Sequence, residues 1–339
     1  MVININKSYS QHFQSSSFSS PQPGTSIIIT GAVHGNETCG TAAIRRVIAE
    51  IESGILQMVS GKLTLVPVCN PLAYQLGQRE GERNLNRRLI PTDNPKEFED
   101  HVANWLCPLF AAHDVLLDLH SFRSQGEPFV LIGPENNRGP LESFSYAKHE
   151  LAMALRLGVH RLVDGWLDTY ARGVQYRQQR LGRHADAKSI ANADTQFGVG
   201  TTEYMRSVGG YAMTLECGQH LDPQAPEVAY QAIVNTLRHL GVIAGAAPAP
   251  VSHMEALRIY DVIDKLHEGD QFVREWRSFD VVSQGDVIGR RHDGSEVRAE
   301  HDGRIIFPDS GAAAGEEWFY LTMPNPRVSM IADNLKADA

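Results

Sequence analysis

The sequence predicts an α/β fold: a largely parallel or mixed sheet flanked by helices, followed by a smaller all-β domain. Three observations carry that expectation. Short apolar runs alternate with amphipathic helical patterns through the first two thirds of the 339 residues. The stretch Gly245-Ala246-Ala247-Pro248-Ala249-Pro250 then breaks the pattern as a linker does. Beyond it the chain turns to short strands separated by turn signals.

Residues 1–24 are rich in Ser, Gln and Asn and hold no apolar stretch, so they read as a tail or short strand without a secretory signal. Ser26-Ile27-Ile28-Ile29-Thr30 is the first buried strand. Ala42, Ala43, Ile44, Val47 and Ile48 then fall at helical spacing. Strands follow at Lys62 to Val68, Val115 to His120, Pro128 to Ile132 and Tyr211 to Glu216. Helices are expected at Phe98 to Ala112, Phe144 to Leu157 and Pro226 to Leu240. Arg172 to Thr202 shows little periodicity and reads as a long excursion, either a binding loop or a plain surface insertion. This places one large domain at 25–248. A β domain at 249–339 has strands at Ala256 to Ile263, Asp280 to Ser283, Val287 to Arg290, Gly303 to Phe307 and Trp318 to Thr322. His292-Asp293-Gly294 and His301-Asp302-Gly303 punctuate that second part as tight turns. No internal repeat is visible.

The formal net charge of −9 and the lack of a basic segment argue against nucleic acid or an anionic membrane surface as partner. No apolar run approaches the roughly 18 residues of a membrane span. Cys39, Cys69, Cys107 and Cys217 are dispersed, without a Cys-x-x-Cys pair. They read as small buried thiols in a reducing cytoplasm, not as zinc ligands.

The chemistry begins at Gly31-Ala32-Val33-His34-Gly35-Asn36-Glu37, between the first strand and the first helix. His34 and Glu37, three positions apart, can point at one spot, which is half of a catalytic zinc site. Alone, the pair is equally well explained by a capping histidine and a first-turn acid favoured by the helix dipole. His120 closes the apolar run Val115-Leu116-Leu117-Asp118-Leu119, an awkward place for a polar group. Parallel strands ending on one edge would bring it beside His34 and Glu37. Two histidines and a glutamate form the ligand set of hydrolytic zinc sites with a position open for water. Glu216 ends another apolar strand, where it can serve as general base and then general acid, or as a mere outer-shell or capping acid. Arg79, Arg83, Arg87 and Arg88 crowd one short amide-rich segment and can fork carboxylates, although Arg88 reads as solvated. Ser121-Phe122-Arg123 and Arg206 are placed to face the same pocket.

These residues resemble the succinylglutamate desuccinylase and aspartoacylase family, a branch of the zinc carboxypeptidase-like superfamily. The motifs that carry the resemblance are His34-Gly35-Asn36-Glu37, Asn84-Leu85-Asn86-Arg87, Asp118-Leu119-His120 and Glu216-Cys217-Gly218, in the family's order. The resemblance implies a zinc carboxypeptidase-like sheet, with the C-terminal β domain narrowing the mouth of the active site. It implies one zinc ion per chain held by His34, Glu37 and His120, Glu216 as the catalytic acid/base, and Arg79 polarising the scissile carbonyl. It further implies a substrate carboxylate on Asn86 and Arg87, a second one on Arg206, and a hydroxyl from Tyr320. Asn84 departs from the family's usual aspartate beside the first zinc histidine, where an amide supplies an acceptor without a charge.

The expected function is zinc-dependent hydrolysis of the amide bond of an N-acyl amino acid or related small carboxylate. The expected partner is that small molecule, in the cytoplasm, with a homo-oligomer compatible. The nearest alternative is a zinc carboxypeptidase acting on short peptides. A non-catalytic carboxylate-binding protein comes last, since a binder needs no general base.

Overall fold

The structure is a computed structural model that describes residues 12–180 and 193–327. Its elements follow the chain as β1 (Ser16–Ser19), β2 (Ser26–Gly31), α1 (Cys39–Glu52), β3 (Lys62–Val66), α2 (Pro71–Leu76), α3 (Phe98–Ala111), β4 (Val115–Phe122) and β5 (Phe129–Leu131). Then come α4 (Ala147–Ala154), β6 (Arg161–Asp164), α5 (Trp166–Arg180), α6 (Thr201–Ser207), β7 (Tyr211–Gln219) and α7 (Ala225–His239). The rest is β8 (Glu255–Asp264), β9 (Gln271–Phe272), β10 (Val281–Val282), β11 (Val287–Arg290), β12 (Glu296–Arg298), β13 (Gly303–Ile306) and β14 (Glu317–Pro324).

The centre of the main sheet is parallel, in the order β3-β2-β4-β7. Such strands are covered on both faces and need apolar residues on both. Ile27 and Ile29 pack with Ile44 and Val47 of α1 and Ile233 and Leu237 of α7. Ile28, pointing the other way, packs with Leu106 and Phe110 of α3 and Met205 of α6. The α/β expectation is thus met by alternation within a single apolar run.

Within the stretch read as a tail or short strand, β1 pairs antiparallel with β3 as an edge strand. Several other elements differ from the sequence reading. The helix expected at Phe144 is shorter, at Ala147–Ala154. β4 and β7 run past His120 and Glu216 to Phe122 and Gln219. Residues 172–180, expected to be irregular, complete α5. Its inward face is Leu167, Tyr170, Val174 and Arg177, a helical stripe whose last member is an arginine forked onto Asp264. A polar terminal anchor hid the period. The remainder of that expected excursion, 181–192, lies outside the described residues.

The linker does not end the main sheet. β8 lies parallel to β6, and β14, β13 and β10 continue antiparallel from it, giving the full order β1-β3-β2-β4-β7-β5-β6-β8-β14-β13-β10. β12-β11-β9 form a separate small sheet over Trp276, Ile288 and Trp318. No described helix is long and apolar enough to cross a membrane.

Candidate active site

The carboxyl ends of β2 and β4 bring two histidines together. After β2, Ala32 adopts a left-handed backbone (φ 47°), sparsely populated for a residue with a Cβ. Two bonds hold this turn, Cys69 N–H to Gly31 O at 2.9 Å and Asn70 N–H to Ala32 O at 3.0 Å. Gly35 lets the turn lie against α2, since a Cβ there would stand 1.9 Å from the Ala73 carbonyl carbon. His34 and Glu37 thereby face His120, which pairs across the sheet with Glu216. The His34, Glu37 and His120 ligand atoms all lie within 4.8 Å of one another, and all three side chains are buried.

The hydrogen bonds test whether this set fits a cation. His34 Nδ1 lies 2.8 Å from Glu37 Oε1, and His120 Nδ1 lies 2.8 Å from Glu37 Oε2. At their outer ends, His34 Nε2 is 3.0 Å from Asn84 Oδ1 and His120 Nε2 is 2.8 Å from Asp118 Oδ2. Asn84 Oδ1 also accepts from the Asn86 N–H at 2.9 Å, which fixes the amide with its oxygen towards the ring. Each ring thus faces an acceptor on both sides, and a neutral imidazole has a single N–H, so one contact of each ring is left as acceptor against acceptor. Acceptor facing acceptor, twice, calls for a cation between them, and the donor set suits zinc. Without one, only His120 is favoured to take the extra proton. Burial, helped by Arg79, lowers His34 to about 4. Burial also opposes charge on His120, but Asp118 and Glu37 hold it well above the usual range. Against the cost of its own burial, the two imidazoles keep Glu37 well below the carboxylate range.

Asn84 thus performs the geometric part of an aspartate's task without its charge. Asn84→Asp is expected to tighten metal binding by about tenfold, the low end of outer-partner effects. Competition against a chromophoric chelator measures it, and unchanged affinity would mean that the charge is immaterial at this position.

Glu216 is buried, and its Oε2 finds no partner among the described residues. Burial, with the Glu37 charge nearby, pushes its carboxyl up to about 8. A bulge helps to place it. β7 has one residue more than β4 between His120/Glu216 and Phe122/Gln219, and Gly218 there has φ 120°. Arg79 reaches in from solvent and donates to Glu37 Oε1 at 3.0 Å.

These groups line a cavity of about 340 Å³ that also includes Asn86, Arg87, Arg123, Arg206 and Tyr320. The structure pairs each of those arginines with acid. Arg87 Nη2 meets both Glu317 oxygens at 2.8 and 2.9 Å, and its guanidinium lies 4.7 Å from the Trp166 ring centre. Tyr320 donates to the same Glu317. Asn86 Oδ1 accepts from the Thr201 N–H that opens α6. Arg123 pairs with Asp309, with its side chain 60% exposed at the rim. Arg206 is buried among Glu142, Glu150 and Glu203.

Sequence reasoning missed Glu317, Trp166 and His220. His220 Nδ1 sits 2.9 Å from Ser121 Oγ, and the Ser121 N–H donates to Glu37 Oε2 at 3.1 Å. A histidine two positions after Gly218 was the available signal. Glu317 offered none, since its partner lies 230 residues away.

The model of the succinylglutamate desuccinylase/aspartoacylase catalytic domain matches residues 23–160. This stretch is similar to that family's catalytic domain. The solved structures agree on the desuccinylase/aspartoacylase fold. The succinylglutamate desuccinylase/aspartoacylase from Rhodobacter sphaeroides is 18% identical, with a TM-score of 0.65 over 92% of this chain and 89% of that one. The product-bound ectoine utilization protein of Ruegeria pomeroyi is 18% identical, with a TM-score of 0.65 over 91% and 88%. The succinylglutamate desuccinylase of Vibrio parahaemolyticus is 19% identical, with a TM-score of 0.63 over 90% and 83%. No curated protein matches this chain in sequence.

Proposed function

We propose that the chain is a zinc-dependent amidohydrolase that cleaves the amide bond of an N-acyl amino acid or related small carboxylate. The observation that carries this reading is the unpartnered, buried Glu216 oxygen beside the His34, Glu37 and His120 cluster. The family and the solved structures it resembles support the same chemistry. A bound zinc would supply a polarised carbonyl and a water acidic enough to lose a proton near neutral pH.

In this reading Glu216 takes the proton of the attacking water and delivers it to the leaving nitrogen. Arg79, already turned towards the cluster, donates to the oxygen on which charge develops. Asn86 and Arg87 hold the substrate carboxylate, with Arg87 braced by Glu317 and Trp166. Phe307, Glu317 and Tyr320 bring the 249–339 segment into the wall of the cavity, which in this reading shapes its mouth over the 25–248 catalytic part. The cavity of about 340 Å³ favours a small acylated amino acid over a longer peptide. A reducing cytoplasm suits four cysteines that are all free and buried.

Metal analysis of the purified protein, with a panel of N-acyl amino acids set against di- and tripeptides, tests the reading. The expected result is about one zinc per chain and a kcat/KM at least tenfold higher on the acylated amino acids. A preference for tripeptides would assign the site to carboxypeptidase action. Ligand binding without turnover of any panel member would leave a binding protein.

A further inference from the structure

We propose that the end of the cavity walled by Leu131, Ile132, Thr202 and Thr214 takes an uncharged side chain, so that the substrates are N-acyl amino acids with a single carboxylate. This rests on the deacylase reading above and narrows it.

The inference starts from Arg206, the guanidinium at that end. An arginine has five N–H donors. Here Nε donates to Glu142 Oε1 at 2.6 Å. Nη1 donates to Glu150 Oε1 at 3.2 Å and to the Ala212 carbonyl at 2.9 Å. Nη2 donates to Glu203 Oε1 at 2.9 Å and to Thr202 Oγ1 at 3.4 Å. All five are spent inside the protein, and this one guanidinium meets three acids. An incoming carboxylate would find no donor on Arg206 and would stand beside an acidic excess, a like-charge arrangement that sites use to reject ligands.

The cluster is built into the fold. The Arg206 side chain is 3% exposed and that of Glu150 is fully buried. Gly133 admits the arginine only because it lacks a Cβ, which would lie 2.8 Å from Arg206 Cδ. The Gly133 N–H in turn holds Glu150 Oε2 at 2.9 Å. Burial raises Glu150 to about 7 against the pull of Arg206 and of Arg327, itself paired with Asp164, so part of the excess acid is relieved by a proton. Besides Arg206 and Glu203, which are bonded to each other, the wall offers two aliphatic side chains and two hydroxyls. Arg87 contrasts with this, because Glu317 meets only its Nη2 and the Asn86 carbonyl its Nη1. The cavity therefore keeps donors for one carboxylate at Arg87 and none for a second at Arg206.

Isosteric pairs test this directly: N-acetyl-L-asparagine against N-acetyl-L-aspartate, and the glutamine against the glutamate derivative. The expected kcat/KM of the metal-loaded protein favours the amide of each pair by at least tenfold. Calorimetric binding to Glu216→Gln is expected to show the same order. Turnover or binding that favours the carboxylates would overturn the inference and leave the deacylase reading standing. Binding in the expected order without any turnover would do the reverse, and failure of every ligand to bind would overturn both. Glu142→Gln, in the loop before α4, removes one negative charge beside Arg206 without emptying the core and is expected to cut the discrimination at least threefold. An unchanged ratio would show that the Arg206 cluster does not set it.

Discussion

Glu216→Gln is expected to lower kcat by about 10²–10⁴-fold, the usual weight of a positioned acid/base, while zinc content stays at the parent level. The amide keeps the shape of the side chain and cannot carry the proton. KM should change little, because in the proposed function the substrate carboxylate is held by Asn86 and Arg87, elsewhere in the cavity wall. The same variant should be at least as stable as the parent. In the metal-free protein burial lifts the Glu216 carboxyl from 4.5 to about 8. An acid whose folded value is raised contributes stability that is complete below its unfolded pKa and is lost as pH rises through the folded value. The parent therefore loses stability between about 4.5 and about 8 from this residue, and the glutamine does not. Urea unfolding of chelator-treated protein at pH 5 and pH 8 should show the variant gaining on the parent at the higher pH. Wild-type turnover by Glu216→Gln would remove the residue from the reaction.

His120→Ala is expected to abolish metal retention and to destabilise the fold by about 3–5 kcal/mol, the usual cost of removing one member of a buried charged pair. His120 stands between two buried carboxylates, 2.8 Å from Glu37 and 2.8 Å from Asp118. Its removal leaves both without that partner in the sheet. Asp118→Asn should give a milder result, about 10–100-fold weaker metal binding, because the ring loses an orienting charge but stays in place. Metal analysis after dialysis, with denaturant unfolding of the apo-protein, separates the two effects. Stoichiometric, tightly held zinc in His120→Ala would exclude that histidine as a ligand.

The grouping of His34, Glu37 and His120 was legible because it is local in cause. An apolar strand, a glycine-containing turn and a helix aim the first two, and a polar group closing a second apolar run marks the third. Adjacent parallel strands then do the rest. Glu317 was not legible, because the bond it makes to Arg87 depends on β14 reaching across the cavity. The same holds for Arg206, which looked like a spare cation in sequence. Glu142 and Glu150 neutralise it from more than fifty residues away, and no spacing rule announces them. α5 escaped for another reason, since an inward arginine satisfied by Asp264 does the work of a fourth apolar residue. The linker was visible as composition, but nothing in it tells the next strand to rejoin the sheet that precedes it.

That rejoining limits how the chain can be shortened. β8 supplies the hydrogen-bonding neighbour of β6 along Arg161 to Asp164, and β14 supplies the neighbour of β8. A fragment ending at the linker would present β6 as a raw strand margin, a template for pairing with other molecules. Truncation at the linker is therefore a route to aggregation rather than to a minimal enzyme. A smaller version would need a redesigned cover for β6 before any question about its activity could be asked.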